Sequence, residues 1–113
     1  MSPLKLRRII LFASDLGALT AFYRDVLGLE IRDGSAKEGW VEFDAGGCSL
    51  ALHRGKSKRG STKTAFGSSD VQKMREELVR RGAKMGKVKA FGDLVLCDGR
   101  DPEGNVFQLS NRV

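Results

Sequence analysis

Few side chains in this sequence could carry out chemistry, and they are scattered. His53 is the single histidine, and Cys48 and Cys97 are the two cysteines. Both cysteines lie in apolar, strand-like runs without the CxxC spacing of zinc sites, so we expect buried, reduced thiols. His53 ends a strand-like run, where a side chain that faces solvent is more common than a metal ligand or a general base. These residues alone predict neither a metal site nor a catalytic pair.

The charge of the chain favours an acidic partner. The formal net charge is +6, and basic residues concentrate between Arg54 and Lys63. Nucleic acid is one partner that such a patch could bind. However, this stretch is rich in Gly and Ser and has no interleaved aromatic residue, so a solvated linker over residues 54–61 explains it as well. Nucleic-acid binding by a basic interaction module is therefore the least favoured interpretation.

Two helices are predicted, and they begin 55 residues apart, after positions 15 and 70. Asp15 precedes apolar residues at helical spacing that continue to Gly28, and Asp70 precedes a similar pattern that continues to Gly82. An aspartate is a favoured N-cap, and a glycine commonly follows the last helical turn. The repeat of cap, helix and glycine indicates two copies of one module.

Extended segments surround each predicted helix in the same order, so each half is predicted as βαβββ. An Asp-containing turn also repeats, at residues 44–47 and 101–104. The fold class is α+β, in one domain over residues 1–113, with module 1 at about 4–53, a basic linker at about 54–61 and module 2 at about 62–110. The predicted strands are Leu4–Ala13, Leu29–Arg32, Trp40–Asp44 and Cys48–His53 in module 1, then Thr62–Ser68, Lys84–Phe91, Leu94–Asp98 and Asn105–Ser110 in module 2.

Two stretches resemble the best-known sequence motifs of the vicinal oxygen chelate superfamily, which includes glyoxalases, bleomycin-resistance proteins and extradiol dioxygenases. They are AFYRDVLGLEI at residues 21–31 and DPEGNVFQL at residues 101–109. The resemblance covers nearly the whole chain. It implies two βαβββ modules that form a half-barrel cleft, in a dimer or pseudo-dimer. In metal-dependent relatives a divalent metal in this cleft chelates the substrate, whereas drug-sequestering relatives bind a molecule there without chemistry.

The resemblance places the four metal-ligand positions of such relatives on Arg8, Ala51, Lys63 and Gln108. Protonated Arg and Lys nitrogens do not coordinate a divalent metal at neutral pH, and Ala has no donor atom. One amide oxygen is too weak a ligand to hold a metal alone. We therefore expect neither a metal nor another cofactor.

Strand alternation from these positions defines the remaining candidates. Ile10 and Phe12 share the parity of Arg8, His53 shares that of Ala51, and Trp40 could stack on a planar ligand. Two buried cations need a compensating charge, from an acidic ligand or from an internal carboxylate such as Glu42 or Asp98. No catalytic residue is predicted, and the candidate ligand-binding residues are Arg8, Ile10, Phe12, Trp40, Ala51, His53, Lys63 and Gln108.

We expect a metal-independent protein that binds a small anionic or aromatic molecule. The alternative is a metal-dependent lyase, isomerase or dioxygenase whose ligands lie elsewhere in the chain. A domain of 113 residues buries little apolar surface, so we also expect a homodimer. The apolar run at residues 9–13 is too short for a membrane span or a signal-peptide core, which predicts a cytoplasmic protein.

Overall fold

The structure is a computed structural model that describes Pro3 and residues 7–56 and 62–112. The chain divides into two compact units, Met1–Ser57 and Lys58–Val113. Each unit has its own helix and sheet, so the predicted α+β class with two βαβββ modules is confirmed. Residues 57–61 of the predicted linker and residues 4–6 of the first predicted strand lie outside the described residues.

The first unit contains a four-stranded sheet, sheet A, in the order β1-β4-β3-β2. Strand β1 runs parallel to β4, and the other neighbours are antiparallel. The parallel pair is possible because a helix connects β1 to the rest of the sheet. The elements are β1 (Arg8–Ala13), α1 (Leu16–Ala21), a π-helical turn (Phe22–Val26), β2 (Glu30–Ser35), a 3₁₀ turn (Ala36–Glu38), β3 (Trp40–Asp44) and β4 (Ser49–Arg54).

The second unit repeats this arrangement in sheet B, in the order β5-β9-β8-β6, with a further strand, β7, also paired to β8. The prediction of one strand over Lys84–Phe91 is wrong, because the pairing register with β8 moves by one residue between Met85 and Lys89. A bulge of this kind is typical of an edge strand. The elements are β5 (Lys63–Gly67), α2 (Val71–Arg80), β6 (Lys84–Met85), β7 (Lys89–Phe91), β8 (Leu94–Arg100) and β9 (Val106–Ser110).

Both predicted helix N-caps are confirmed. An Oδ1 atom of Asp15 accepts the backbone N–H of Ala18 at 3.0 Å, and Asp70 accepts that of Lys73 at 3.0 Å. Neither helix of the described chain combines the length and apolar character needed to cross a membrane.

The two helices differ in their C-terminal halves. Gly28 follows its cap by 13 residues and Gly82 by only 12, and both glycines have a positive φ, 76° and 97°. The extra residue is taken up by the π-helical turn, in which the Leu27 N–H donates to the Phe22 carbonyl five residues back. We predicted a regular helix here, which is wrong for Phe22–Val26.

In each unit the helix covers one face of the sheet and leaves the other without a helix. Along β1, Leu11 and Ala13 are buried, whereas Ile10 and Phe12 are 43% and 51% exposed. This alternation is the predicted one. The buried face carries Leu11, Val41, Phe43, Leu50 and Leu52 in sheet A, and Thr64, Cys97, Phe107 and Leu109 in sheet B.

Candidate functional site

Six of the eight candidate residues lie in the first unit, on the face of sheet A away from α1. The strand pairing sets Phe12 directly beside His53, and His53 beside Trp40, so that three aromatic rings form one row across β1, β4 and β3. The next row contains Ile10, Ala51 and Glu42. We refer to Ile10, Phe12, Trp40 and His53 as the aromatic face.

The rings of the aromatic face are held by local packing. The Phe12 and His53 ring centroids lie 6.1 Å apart in an edge-to-face arrangement, with an interplanar angle of 63°. A Cβ added at Gly55 would lie 3.0 Å from the Phe12 ring, and one at Gly34 would lie 3.0 Å from the Trp40 ring. The two glycines therefore allow the backbone to approach these rings closely. Phe12 still has half of its surface exposed.

Arg8 lies beside the aromatic face and is already paired. Its Nε is 2.9 Å from Oε1 of Glu42, and the Glu42 side chain is only 13% exposed. The internal carboxylate considered from the sequence is thus in contact with this cation. A second guanidinium on the same face, Arg32, donates to the Ser49 hydroxyl and pairs with Asp44 at 3.2 Å.

Asp44 receives two interactions that stabilise its charged form. A hydrogen bond from the Gly46 backbone N–H and the nearby charge of Arg32 hold the pKa of the Asp44 carboxyl below its usual range. Hydrogen bonds to a carboxylate and a neighbouring cation both favour ionisation. The two arginines on this face, Arg8 and Arg32, are therefore each paired with a carboxylate.

In the second unit, Lys63 and Gln108 lie on the face of sheet B away from α2. Lys63 Nζ is 3.1 Å from Oδ2 of Asp98, and Gln108 Nε2 donates to Oδ1 of the same carboxylate at 3.0 Å. Burial raises the pKa of Asp98, but the hydrogen bonds from Gln108 and Lys63 outweigh it and leave the pKa below its usual value. One carboxylate thus contacts both predicted residues.

The strand registers support the repeat alignment of the candidate positions. Ile10 lies beside Ala51 as Ala65 lies beside Gln108, and Arg8 and Lys63 begin the corresponding strands. The sequence alignment matched Asp44 with Asp101, which is wrong by one residue. Asp44 is the last residue of β3 and pairs with Ser49, whereas β8 ends at Arg100 and Asp101 follows it. Asp101 caps a buried turn through hydrogen bonds from Asn105 instead.

The residues at the four ligand positions do not fit a divalent metal. Arg8 and Lys63 are cations with carboxylate partners, and Ala51 is 1% exposed and has no donor atom. Gln108 alone offers an oxygen. Among the described residues, no three His, Cys, Asp or Glu side chains come together as a group that could hold a metal. Burial is the largest of several influences on the Cys97 thiol and raises its pKa. Cys97 is buried as predicted, whereas Cys48 is only partly buried.

Three residues near these positions were not predicted. Arg32 in sheet A and Lys84 and Arg100 in sheet B lie on the faces away from the helices. Arg100 could have been predicted from the sequence, because it lies two residues after Asp98 on one strand and therefore on the same face of the sheet. Arg32 could not have been found in this way, because it occupies the bulge between Ile31 and Asp33, where the alternation is interrupted.

Comparison with known proteins identifies the family. The family model described as a glyoxalase-like domain matches residues 8–110. The chain belongs to the glyoxalase-like family. This match extends from the first strand of the first unit to the last strand of the second, so it includes both modules.

Solved structures share the glyoxalase-like fold at low sequence identity. Lactoylglutathione lyase from Agrobacterium tumefaciens is 23% identical, with a TM-score of 0.81 over 96% of this chain and 94% of that one. TnmS3, an antibiotic-binding protein from Streptomyces sp. CB03234, is 21% identical, with a TM-score of 0.81 over 96% of both chains. A glyoxalase/bleomycin resistance protein/dioxygenase from Nocardioides is 18% identical, with a TM-score of 0.77 over 97% of this chain and 84% of that one. The search of curated proteins found no match by sequence.

Proposed function

We propose that this glyoxalase-like protein binds a small planar, aromatic molecule without a metal ion, and that the aromatic face is where the molecule stacks. The observation that carries the proposal is the row of Phe12, His53 and Trp40, with Phe12 half exposed at the surface of sheet A. Aromatic rings offer a large contact area and few rotatable bonds, so they bind planar ligands with a small loss of side-chain entropy.

The neighbouring charges favour an aromatic ligand over an anionic one at this face. Arg8 would need to leave Glu42, whose side chain is 13% exposed, before it could neutralise a ligand. A largely buried carboxylate without its partner is strongly unfavourable. The pair therefore borders the aromatic face as a polar rim. Among proteins of this fold, TnmS3 is described as antibiotic-binding, which supports sequestration as the activity.

Metal independence rests on the chemistry of the donor set. Two of the four positions carry cations and one carries Ala51, so a divalent ion would meet a single amide oxygen. Elemental analysis after dialysis should find substoichiometric metal, and EDTA should leave ligand binding unchanged. Stoichiometric zinc, nickel, manganese or iron would overturn this part of the proposal and favour a metal-dependent lyase, isomerase or dioxygenase.

The fluorescence of Trp40 gives a direct test, because it is the only tryptophan of the chain. A panel of planar aromatic compounds, including polycyclic antibiotics, is titrated against the protein. We expect at least one compound to quench the emission saturably. Phe12→Ala should then weaken its binding about tenfold, the equivalent of about 1.4 kcal/mol.

The matched control for this titration is Phe91→Ala, which removes another exposed phenylalanine, 62% exposed and located on β7. It should leave the dissociation constant unchanged. Equal affinities in wild type and Phe12→Ala would show that the ligand does not use the aromatic face. A loss of equal size in both variants would indicate non-specific contact with exposed rings.

We propose in addition that the protein is a homodimer, since a chain of 113 residues leaves much apolar surface uncovered. Sedimentation velocity at micromolar concentration should show the mass of two chains. A monomer over the whole concentration range would contradict this.

A further inference from the structure

Sheet B carries a second group of cations on the face away from α2. The registers set Lys63 beside Val106, Val106 beside Arg100 and Arg100 beside Lys84, in one row across four strands. We call Lys63, Arg100 and Lys84 the basic row. Cations on adjacent strands directly opposite each other, as Arg100 and Lys84 are, repel and destabilise the sheet.

Only one member of the basic row has a carboxylate partner within the described chain. Asp98 is occupied by Lys63 on one oxygen and by Gln108 on the other. Arg100 donates from Nη1 to the neutral carbonyl of Gly104 at 3.0 Å. Over residues 7–56 and 62–112, neither Arg100 nor Lys84 forms an ion pair. Within the described residues, these two neighbouring cations therefore have no carboxylate partner of their own.

An open cavity of about 310 Å³ lies at this position. Arg100 has five N–H donors, and its hydrogen bond to the Gly104 carbonyl uses Nη1, while Lys84 has three donors of its own. The cavity is lined by Lys84, Met85, Gly86, Asp98, Gly99, Arg100 and Val106.

We propose that this cavity binds the oxyanion of a small molecule, a phosphate or sulfate group, between Lys84 and Arg100. An oxyanion would relieve the repulsion of the two cations and accept charge-assisted hydrogen bonds from both. The inference does not rest on the function proposed above, because it uses other residues in the other unit. A small ligand is favoured over nucleic acid because no aromatic side chain lines the cavity on which a base could stack.

Titration of the full chain with sodium phosphate, followed by amide chemical shifts in ¹H–¹⁵N spectra, tests the site. We expect saturable shifts at residues on β6 and β8, also with sulfate, and none with sodium chloride at equal ionic strength. Lys84→Gln and Arg100→Gln should each weaken phosphate binding about tenfold, since each removes one charge while it keeps an amide donor. The oxyanion could belong to a phosphate ester or to free phosphate, and a parallel titration with phenyl phosphate distinguishes the two. Tighter binding of phenyl phosphate than of inorganic phosphate would indicate an ester, and equal affinities would indicate the free ion.

Lys73→Gln and Arg80→Gln are the matched controls, because they remove the same charge from α2, on the opposite side of sheet B. They should leave the phosphate affinity unchanged. A second readout is the melting temperature: without anion, Lys84→Gln should raise it, and phosphate should raise it more in wild type than in the variant. Unchanged affinity in both basic-row variants, or equal losses in the controls, would overturn the proposal. So would an oligonucleotide that binds far more tightly than phenyl phosphate and is lost in the same variants.

Discussion

The two modules have corresponding strand orders, and each has one helix with an aspartate N-cap. The face of the sheet that is opposite the helix nevertheless differs in chemistry between the two modules. In the first unit this face presents aromatic rings beside the Arg8–Glu42 pair. In the second unit the corresponding strands present Lys63, Gln108 and Arg100. The repeat therefore determines the positions of the side chains, whereas the residue type at each position determines which ligand the face can bind.

The buried faces differ as well, and in a complementary manner. Phe43 pairs with Leu50 in sheet A, whereas at the corresponding positions of sheet B Gly99 pairs with Phe107. The phenylalanine thus lies on β3 in the first module, but on β9, the counterpart of β4, in the second. A Cβ added at Gly99 would lie 2.7 Å from Cζ of Phe107, so the absence of a side chain on one strand makes room for the ring on the other.

The largest effect expected from this comparison is that of Gly99→Ala. The new methyl group would lie 2.5 Å from Sδ of Met85 and 2.7 Å from Cζ of Phe107, and we expect a loss of about 3 kcal/mol in the free energy of unfolding. Urea denaturation measures it. Gly47→Ala is the control, since a Cβ there has no atom within 4 Å, and it should change the free energy by less than about 0.5 kcal/mol.

A second substitution sharpens the test at Gly99. In the Gly99→Ala background, Phe107→Leu replaces the ring by leucine, the residue at the corresponding position of sheet A, Leu50. The smaller side chain makes room for the new methyl group, so this second substitution should recover part of the lost stability. If Gly99→Ala were as mild as Gly47→Ala, the exchange of large and small residues between the two modules would have no energetic meaning.

The next effect separates the two ion pairs. Arg8→Ala leaves the Glu42 carboxylate, 13% exposed, without its partner and should cost about 2 kcal/mol. Lys63→Ala breaks a pair whose side chains are 50% and 46% exposed, and should cost less than about 1 kcal/mol. Chemical denaturation of both variants, with Glu42→Gln to complete a double-mutant cycle, provides the comparison. Equal costs would show that the burial of Glu42 does not distinguish the modules.

The helix N-caps should be equivalent in the two modules. Asp15→Ala and Asp70→Ala each remove a side-chain acceptor from one backbone N–H and should lower the free energy of unfolding by about 1 kcal/mol. Ser69→Ala, next to the second cap, should have little effect. A cap substitution without any effect on the denaturation midpoint would contradict the module alignment on which the comparison depends.

The smallest effect concerns the pH dependence of sheet B. Because the folded pKa of Asp98 lies below its unfolded value, the ionised carboxylate stabilises the fold above about pH 3.9, and this contribution is lost as the pH falls through the folded pKa. Wild type should therefore be more stable than Asp98→Asn near neutral pH, and the difference should shrink as acidification protonates Asp98. A difference that grows on acidification would reverse the sign and contradict the assignment.

The two modules and the N-cap of each helix could be predicted from the sequence alone. Asp15 and Asp70 are recognisable because a cap acts on backbone groups within three residues, so local sequence contains the whole interaction. The exposure of Ile10 and Phe12 followed from strand alternation for the same reason. The positions of Arg8, Lys63 and Gln108 came from the repeat and from family resemblance together.

The pairing of charged side chains, in contrast, depends on the tertiary structure. Glu42 and Asp98 were candidate partners in the sequence, but their contacts with Arg8 and Lys63 depend on strand registers that bring together residues 34 and 35 positions apart. The bulge in β2 and the split between β6 and β7 also lie beyond local pattern, because a shift of one residue in register depends on the neighbouring strand. For the same reason, the opposed cations Arg100 and Lys84 became visible only when β6 and β8 were seen side by side.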